Sequence, residues 1–116
     1  MTIIQPHNRQ ELREWLMTHA ATETEVWVLC SRSKDSLWLD GYEIVRYLDV
    51  VEEALCFGWI DSTVRKNPNG QGCLQRLSPR RKNSHWTDLN IERCQQLIEL
   101  GVMTDSGKQV MPKIIH

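Results

Sequence analysis

Residues 47–61 read YLDVVEEALCFGWID, and this stretch decides the fold of the chain. Its apolar residues recur with the i, i+3, i+4, i+7, i+8 spacing of a helix with one buried face, at Tyr47, Val50, Val51, Ala54 and Leu55. Gly58 supplies a helix stop, and the following residues favour a strand. The stretch therefore predicts a buried helix that turns at Gly58 directly into a strand.

Working outward from this unit, two strands are predicted at residues 59–66 and 73–77. They are joined by the Asn/Pro/Gly-rich loop at residues 67–72, and Pro79 closes the second strand. Val26–Cys30 is a short continuous apolar run, which is typical of a strand buried on both faces. A further strand is predicted at residues 37–39.

Residues 40–46 allow two interpretations. Asp40-Gly41 is a strong signal for a tight hairpin turn, and residues 42–46 then form the returning strand. Asp40 followed by Glu43 also has the pattern of a helix N-cap with its capping partner. The central helix is therefore expected to begin at either residue 41 or residue 47.

Two further helices flank these elements. Asn8 and Glu11 form a capping pattern for a first helix that ends near Ala21 or Thr22. Thr87 or Asp88 begins a last main helix with Gly101 as its stop, and its inward residues are expected to be Leu89, Ile91, Cys94, Leu97 and Ile98. Thr104 is expected to cap a short final turn.

Together these elements predict an α+β fold in which a small, mostly antiparallel sheet packs against about three helices. We expect residues 1–116 to form a single compact domain, because a chain of this length has room for only one core. Trp15, Trp27 and Trp38 lie in apolar patterns and are expected in that core, whereas Trp59 and Trp86 have polar neighbours and are expected to be exposed.

The N-terminal sequence lacks the basic start and apolar segment of a signal peptide, and no apolar run is long enough to span a membrane. We therefore expect a cytoplasmic protein. Cys30, Cys56, Cys73 and Cys94 are too widely spaced for a CxxC pair or a zinc ribbon. We expect four reduced, mostly buried thiols, no metal and no cofactor.

Charge is distributed unevenly along the chain. Residues 62–87 contain six Lys or Arg residues and no Asp or Glu, so they carry +6 within a chain of formal charge −1. The remainder holds 8 of the 14 basic residues and all 15 acidic residues, which gives −7. Clustered guanidinium groups repel one another unless an anion or water lies between them, so this segment is a candidate anion site.

Three ordered motifs carry a resemblance to a known family. They are EEALCFGWID at residues 52–61, LQRLSPRR at residues 74–81 and SHWTDLN at residues 84–90. In this respect the chain resembles the YdeI/OmpD-associated family of small bacterial proteins, without the C-terminal extension of its longer members. The family's names refer to bacteriocin protection and to association with a porin, so the resemblance implies a stress- or bacteriocin-protection role.

The predicted topology brings these motifs toward one place. Gly58 turns the chain beside the two strands, and the last helix begins near the exit of the second strand. The helix N-terminus and an arginine fork are both suited to phosphate or carboxylate, and a Trp ring can stack on a planar group. The predicted ligand-binding residues are Trp59, Asp61, Arg76, Arg80, Arg81, Ser84, Trp86 and Asn90.

A structural interpretation competes with this one. A basic loop is often a solvated surface, and Asp61 and Asp88 would then pair with Arg76 or Arg80 as clamps. Arg80 and Arg81 are expected at the surface in either case. His85 has no second ligand at a suitable spacing, so we assign it no metal.

Three functions remain open. The first is binding of an anionic ligand, either a phosphorylated small molecule or single-stranded nucleic acid, through the basic face. The second is an interaction protein that docks an acidic protein partner. The third is an enzyme of unknown reaction with a pocket at Trp59 and Asp61, although no catalytic motif is present: Glu52 and Glu53 are adjacent, so we expect them to project apart rather than converge.

Overall fold

The central unit is a helix followed at once by a long strand, as predicted. The computed structural model describes residues 1–34, 36–81 and 84–112. Helix α2 spans Tyr47–Cys56, and strand β5 spans Trp59–Lys66. Gly58 lies between them with a φ of +75°, a left-handed conformation that glycine adopts without a steric cost. The chain therefore leaves the helix and enters the sheet within two residues.

The remaining elements in the described residues complete an α+β fold. They are β1 (Ile3–Ile4), α1 (Arg9–His19), β2 (Val26–Cys30), β3 (Trp38–Leu39), β4 (Tyr42–Glu43), β6 (Cys73–Pro79), α3 (Asp88–Glu99) and α4 (Asp105–Gln109). None of the helices in this part of the chain is long and apolar enough to cross a bilayer. The predicted fold class is confirmed.

The main sheet has the strand order β1-β2-β6-β5. β1 runs parallel to β2, whereas the β2–β6 and β6–β5 pairs are antiparallel, so the sheet is mostly antiparallel as expected. The short edge strand β1 was not predicted, because two residues are too few for a periodic pattern. Leu77 of β6 pairs with Val26 on one side and with Asp61 on the other, and this register fixes which side chains share a face.

The helices cover one face of the sheet and enclose the main core. Val26, Val28 and Leu77 contribute from the strands, and Leu12, Leu16, Val50, Val51, Ala54, Leu55, Cys94 and Leu97 contribute from the helices. All five residues of β2 are buried, as its apolar run predicted. A second, smaller core on the opposite face consists of Trp27, Leu29, Ile44 and Leu74.

Of the two interpretations of residues 40–46 the hairpin is correct, although the returning strand spans only Tyr42–Glu43 and not residues 42–46. Strands β3 and β4 pair through Leu39 and Tyr42 around a turn at Asp40-Gly41, and the helix begins at Tyr47. Leu39 packs against the smaller core, whereas Trp38 is 61% exposed. The expectation that Trp38 is buried was wrong, because adjacent strand residues point to opposite sides and the hairpin buries only the side that carries Leu39.

The helix termini agree closely with their capping signals. The Asn8 side chain accepts a hydrogen bond from the backbone N–H of Glu11 at 3.0 Å, and Thr87 caps α3 in the same way at 3.1 Å. Thr104 caps α4. α1 ends at His19, about two residues before the predicted end. On α3, Leu89 is exposed rather than inward, because it lies in the first turn, ahead of the buried Cys94 and Leu97.

Candidate functional site

Arg80 is the central side chain of the candidate site. It follows β6 directly, and its backbone N–H donates to the carbonyl of Gly58 at 2.9 Å, which extends the pairing with β5 by one bond. The side chain is only 5% exposed, so the expectation that it lies at the surface was wrong. The guanidinium lies near Cys94 of α3 and Asp61 of β5, and the negative charge of Asp61 favours its charged form.

The guanidinium of Arg80 is bonded on one side only. Its Nη1 donates to the Ser84 hydroxyl at 3.2 Å and to the His85 carbonyl at 3.1 Å. Its Cζ lies 4.0 Å from the centre of the Trp86 ring, a cation–π contact. Nε and Nη2 are shielded from solvent and have no hydrogen-bond partner within the described residues. These two nitrogens form the edge of the guanidinium that binds carboxylate or phosphate in a bidentate manner.

Burial lowers the pKa of the Arg80 guanidinium from its ordinary value, because the charged form is disfavoured away from water. The charge of Asp61 acts in the opposite direction. The group nonetheless carries its proton at neutral pH, since arginine is not deprotonated in proteins under these conditions. A buried cation with two unsatisfied nitrogens is costly, and the described residues offer Nε and Nη2 no acceptor.

Asp61 is held by Tyr47 rather than by an arginine. The Tyr47 hydroxyl donates to Asp61 Oδ2 at 3.0 Å, and among the described residues Asp61 forms no ion pair with Arg80. Burial, followed by the charge of Asp61, raises the pKa of Tyr47. Two further cations act on the same hydroxyl: Arg32, whose Cζ lies 4.2 Å from the ring centre, and Arg93 of α3. Arg80 is thus coupled to Asp61 directly, whereas Arg32 and Arg93 act on the Tyr47 hydroxyl that donates to it.

The structure brings most of the predicted site residues together. Asp61, Arg80, Ser84 and Trp86 form the group described above, and Asn90 is linked to it because its side-chain oxygen accepts from Arg93 at 3.0 Å. Tyr47, Arg32 and Arg93 belong to the same group but were not predicted. Only the helical spacing of Tyr47 singled it out, and that spacing predicts burial rather than a role in binding.

Arg76 lies elsewhere. Its cross-strand partner is Trp27, which belongs to the smaller core, so Arg76 projects from the sheet face opposite the helices. Its Nε donates to Glu25 at 2.6 Å. Arg76 therefore does not converge with Arg80. Its ion-pair partner is Glu25 rather than Asp61 or Asp88.

Trp59 and Arg81 also differ from Arg80 in position. Trp59 is 2% exposed and meets Trp15 edge to face at 6.1 Å between ring centres, so the expectation that it is exposed was wrong. Its polar neighbours in the sequence are uninformative, because a strand alternates between the core and solvent. Arg81 is exposed. Lys82, another member of the basic segment, lies outside the described residues.

A second charged cluster joins α1 to α2. The buried carboxylate of Glu53 accepts from Arg9 Nη2 at 2.7 Å and from Arg13 Nη1 at 3.0 Å. Glu52 also contacts Arg9, at 3.1 Å, so the expectation that Glu52 and Glu53 do not converge was wrong. One long arginine side chain spans both positions. The cluster is saturated by its own ion pairs and serves to hold the two helices together.

The thiols are free, and three of the four are buried, as predicted. Burial raises the pKa of Cys56 and of Cys94 to about 11, so both remain protonated at neutral pH. Within the described residues there is no group of three or more His, Cys, Asp or Glu side chains arranged to hold a metal.

Comparison with known proteins gives one match. A family model described as "Domain of unknown function (DUF8412)" matches residues 4–110. No curated protein and no solved structure matches the chain. Neither result bears on the resemblance to the YdeI/OmpD-associated family, which stays a prediction.

Proposed function

The chain belongs to this family of unknown function, and from its own geometry we propose that it binds a small phosphate-bearing ligand at Arg80. The observation that carries the proposal is the unfilled edge of the Arg80 guanidinium, at Nε and Nη2. Two oxygens of one phosphate match the spacing of these two N–H groups and would supply both missing acceptors. The ligand would thereby remove the cost of burying them unpaired.

A purely structural role accounts for only part of this geometry. Through Nη1, Arg80 ties the chain at Ser84 and His85 to the end of β6, and the Trp86 ring covers one face of the guanidinium. Those contacts explain why an arginine is anchored here. They do not explain why its bidentate edge is left without an acceptor in the described residues.

The surrounding charge favours an anion. The charge of Asp61 acts on Arg80, and Arg32 and Arg93 act on the Tyr47 hydroxyl that donates to Asp61, so this group holds three positive charges and one carboxylate. A ligand with one or two negative charges would bring this group close to neutrality. Because Nε and Nη2 are shielded from solvent, its entry requires a movement of the segment from Ser84 to Trp86.

A small ligand fits the site better than a nucleic acid strand does. Binding of a single strand relies on open aromatic faces onto which bases stack. Trp59 is buried in the core, and one face of Trp86 is occupied by Arg80. Arg76 lies on the other face of the sheet and is paired with Glu25, so the basic segment does not form one continuous track.

Isothermal titration with inorganic phosphate and with a panel of nucleoside monophosphates tests the proposal. Wild type should bind at least one of these. Arg80→Lys retains the charge but lacks the two-nitrogen edge, so its affinity should fall by at least about tenfold, since each charge-assisted hydrogen bond is worth about 1.5–3 kcal/mol. Arg76→Gln removes one positive charge from the opposite face of the sheet, away from the proposed site, and should change affinity by less than about twofold.

The melting temperature of each variant is measured first, so that loss of binding is not confused with loss of folding. If Arg80→Lys does not fold, Asn90→Asp is used in its place. This substitution puts a negative charge beside Arg93 and should weaken binding of the anion. Absence of binding by folded wild type at millimolar ligand contradicts the proposal. A loss of affinity in Arg76→Gln with none in Arg80→Lys would contradict a localised site and indicate diffuse charge attraction, because only Arg76→Gln changes the net charge.

A further inference from the structure

Two of the four thiols lie side by side in the sheet. Cys30 ends β2 and Cys73 begins β6, and the antiparallel register makes them direct cross-strand partners. Their sulfur atoms are 3.6 Å apart. No other pair of thiols in the described residues is in contact. The sequence separation of 43 residues hides this relationship, which depends on the register of the two strands.

The backbone geometry of this pair is compatible with a disulfide. Directly opposed residues of antiparallel strands have Cα atoms about 4.5–5.5 Å apart, and disulfides span Cα separations of about 4.4–6.8 Å. Rotation about the side-chain torsions must bring the sulfurs from 3.6 Å to a bonding distance of about 2.05 Å. No shift of strand register is needed.

The two sulfurs differ in their access to solvent. Cys30 is fully buried, whereas Cys73 is half-buried and lines an open cleft of about 420 Å³ together with Arg32, Gln71 and Gly72. Gly72 has no side chain to obstruct the cleft beside the sulfur. Arg32 contributes a positive charge to the lining of this cleft. A small oxidant therefore reaches Cys73 first and has Cys30 immediately behind it.

We propose that Cys30 and Cys73 are a peroxide-sensitive dithiol that closes to a disulfide. The Cys73 thiolate attacks one oxygen of a hydroperoxide, the O–O bond breaks, and water or an alcohol leaves after taking up a proton. Cys73 is then a sulfenic acid. Cys30 Sγ loses its proton and attacks Cys73 Sγ, the S–O bond breaks, and the hydroxide leaves as water. Two thiols are oxidised by two electrons, and one peroxide is reduced.

Cys56 and Cys94 serve as internal controls. Both are fully buried, and burial raises the pKa of each to about 11. Burial also raises the pKa of Cys30, so the controls differ from the Cys30–Cys73 pair in lacking an adjacent thiol and not in their fraction of thiolate. Neither touches a second thiol in the described part of the chain. They should stay reduced at peroxide concentrations that oxidise the Cys30–Cys73 pair.

The experiment treats the reduced wild-type protein with hydrogen peroxide, then alkylates it in denaturant and analyses it by mass spectrometry without reduction. The expected result is a loss of two hydrogens with two alkylated thiols remaining. A tryptic digest should contain residues 14–32 linked to residues 67–76, because cleavage after Arg13, Arg32, Lys66 and Arg76 isolates the two cysteines. Dithiothreitol should restore four alkylated thiols.

Two variants test the order of events. In Cys30→Ser a sulfenic acid at Cys73 has no thiol to resolve it and should be trapped by dimedone. In Cys73→Ser the remaining thiols should react more slowly than the wild-type pair. Oxidation of wild type to sulfinic acid with no linked peptide overturns the proposal, as does a linkage that involves Cys56 or Cys94. Both of these contradicting outcomes are measured on the wild-type protein, so the test remains valid even if a serine variant does not fold.

Discussion

The guanidinium of Arg80 lies 4.0 Å from the centre of the Trp86 ring, and the two side chains form one unit between the end of β6 and the start of α3. This contact fixes the orientation of the guanidinium. Nη1 faces Ser84 and His85, and the Nε–Nη2 edge is directed into the protein, where no described residue accepts from it. The proposed function depends on this orientation.

The buried face of α2 gives the first stability prediction. Leu55 is 3% exposed, so Leu55→Ala should lower the free energy of unfolding by about 2–5 kcal/mol. Leu48 on the same helix is 49% exposed, and Leu48→Ala should change it by less than about 0.5 kcal/mol. Urea denaturation followed by tryptophan fluorescence measures both. Equal effects would mean that the assignment of the buried face is wrong.

The ion cluster between α1 and α2 gives the second stability prediction. Glu53→Gln leaves Arg9 and Arg13 without their shared carboxylate, and should cost about 1.5–3 kcal/mol, the range for a hydrogen bond to a charged group. Glu52→Gln removes one partly exposed contact and should cost about 0–1 kcal/mol. The same denaturation experiment ranks the two. A larger effect at Glu52 is not compatible with the observed contacts.

The close packing around Gly58 gives the third stability prediction. Gly58 and Gly101 share a φ of +75°, but a Cβ at Gly58 would lie 2.8 Å from the Ser106 carbonyl oxygen, whereas one at Gly101 would meet open space. Both alanine variants incur the same backbone strain, so their difference isolates the clash. Gly58→Ala should be less stable than Gly101→Ala by about 1–3 kcal/mol. Identical melting temperatures would show that α4 does not pack on Gly58.

The buried thiols give a pH dependence. The folded-state pKa of Cys56 and of Cys94 is about 11, above the ordinary value of 9.0, so the folded protein retains these protons more strongly than the unfolded chain does. Their contribution to stability is complete below pH 9.0 and is lost as the pH rises toward about 11. The slope is at most about 1.4 kcal/mol per pH unit for each group.

Cys94→Ala removes one of the two titrating thiols, so the free energy of unfolding should depend less steeply on pH in this variant. This holds whatever the substitution does to stability at pH 7. Denaturant unfolding between pH 8 and 10.5, with a reducing agent present, measures the slope. Stability that is independent of pH over this interval would contradict the burial of these thiols.

The sequence predicted those parts of the fold that depend on local patterns. The face of α2 that carries Leu55 follows from helical spacing, and the start of α1 follows from the short-range capping chemistry of Asn8. Asp40-Gly41 also encoded its hairpin locally. The predictions that Trp38 is buried and that Leu89 faces inward were wrong. The sequence does not reveal which side of a two-residue strand, or of the first turn of a helix, other elements will cover.

Only part of the candidate residue group was predictable from the sequence, and its arrangement was not. Asp61, Ser84 and Trp86 lie near Arg80, as the ordered motifs suggested. Arg76 was misplaced because its face is set by the pairing of β6 with β2, a long-range contact that no local pattern encodes. The same register places Cys30 against Cys73. Arg80 is buried although it is charged, and a residue just beyond a strand carries no periodic signal of its direction.

The most direct test of the anion site observes the Arg80 Nε–H itself. Arginine Nε–H resonances of the ¹⁵N-labelled protein are recorded during titration with inorganic phosphate, and the Arg80 signal is assigned by its absence from Arg80→Lys. The Arg80 resonance should move progressively and saturate, while that of Arg76, already bonded to Glu25, should stay in place. An unmoved Arg80 resonance, or an unsaturable drift of all the arginine signals together, would contradict the account.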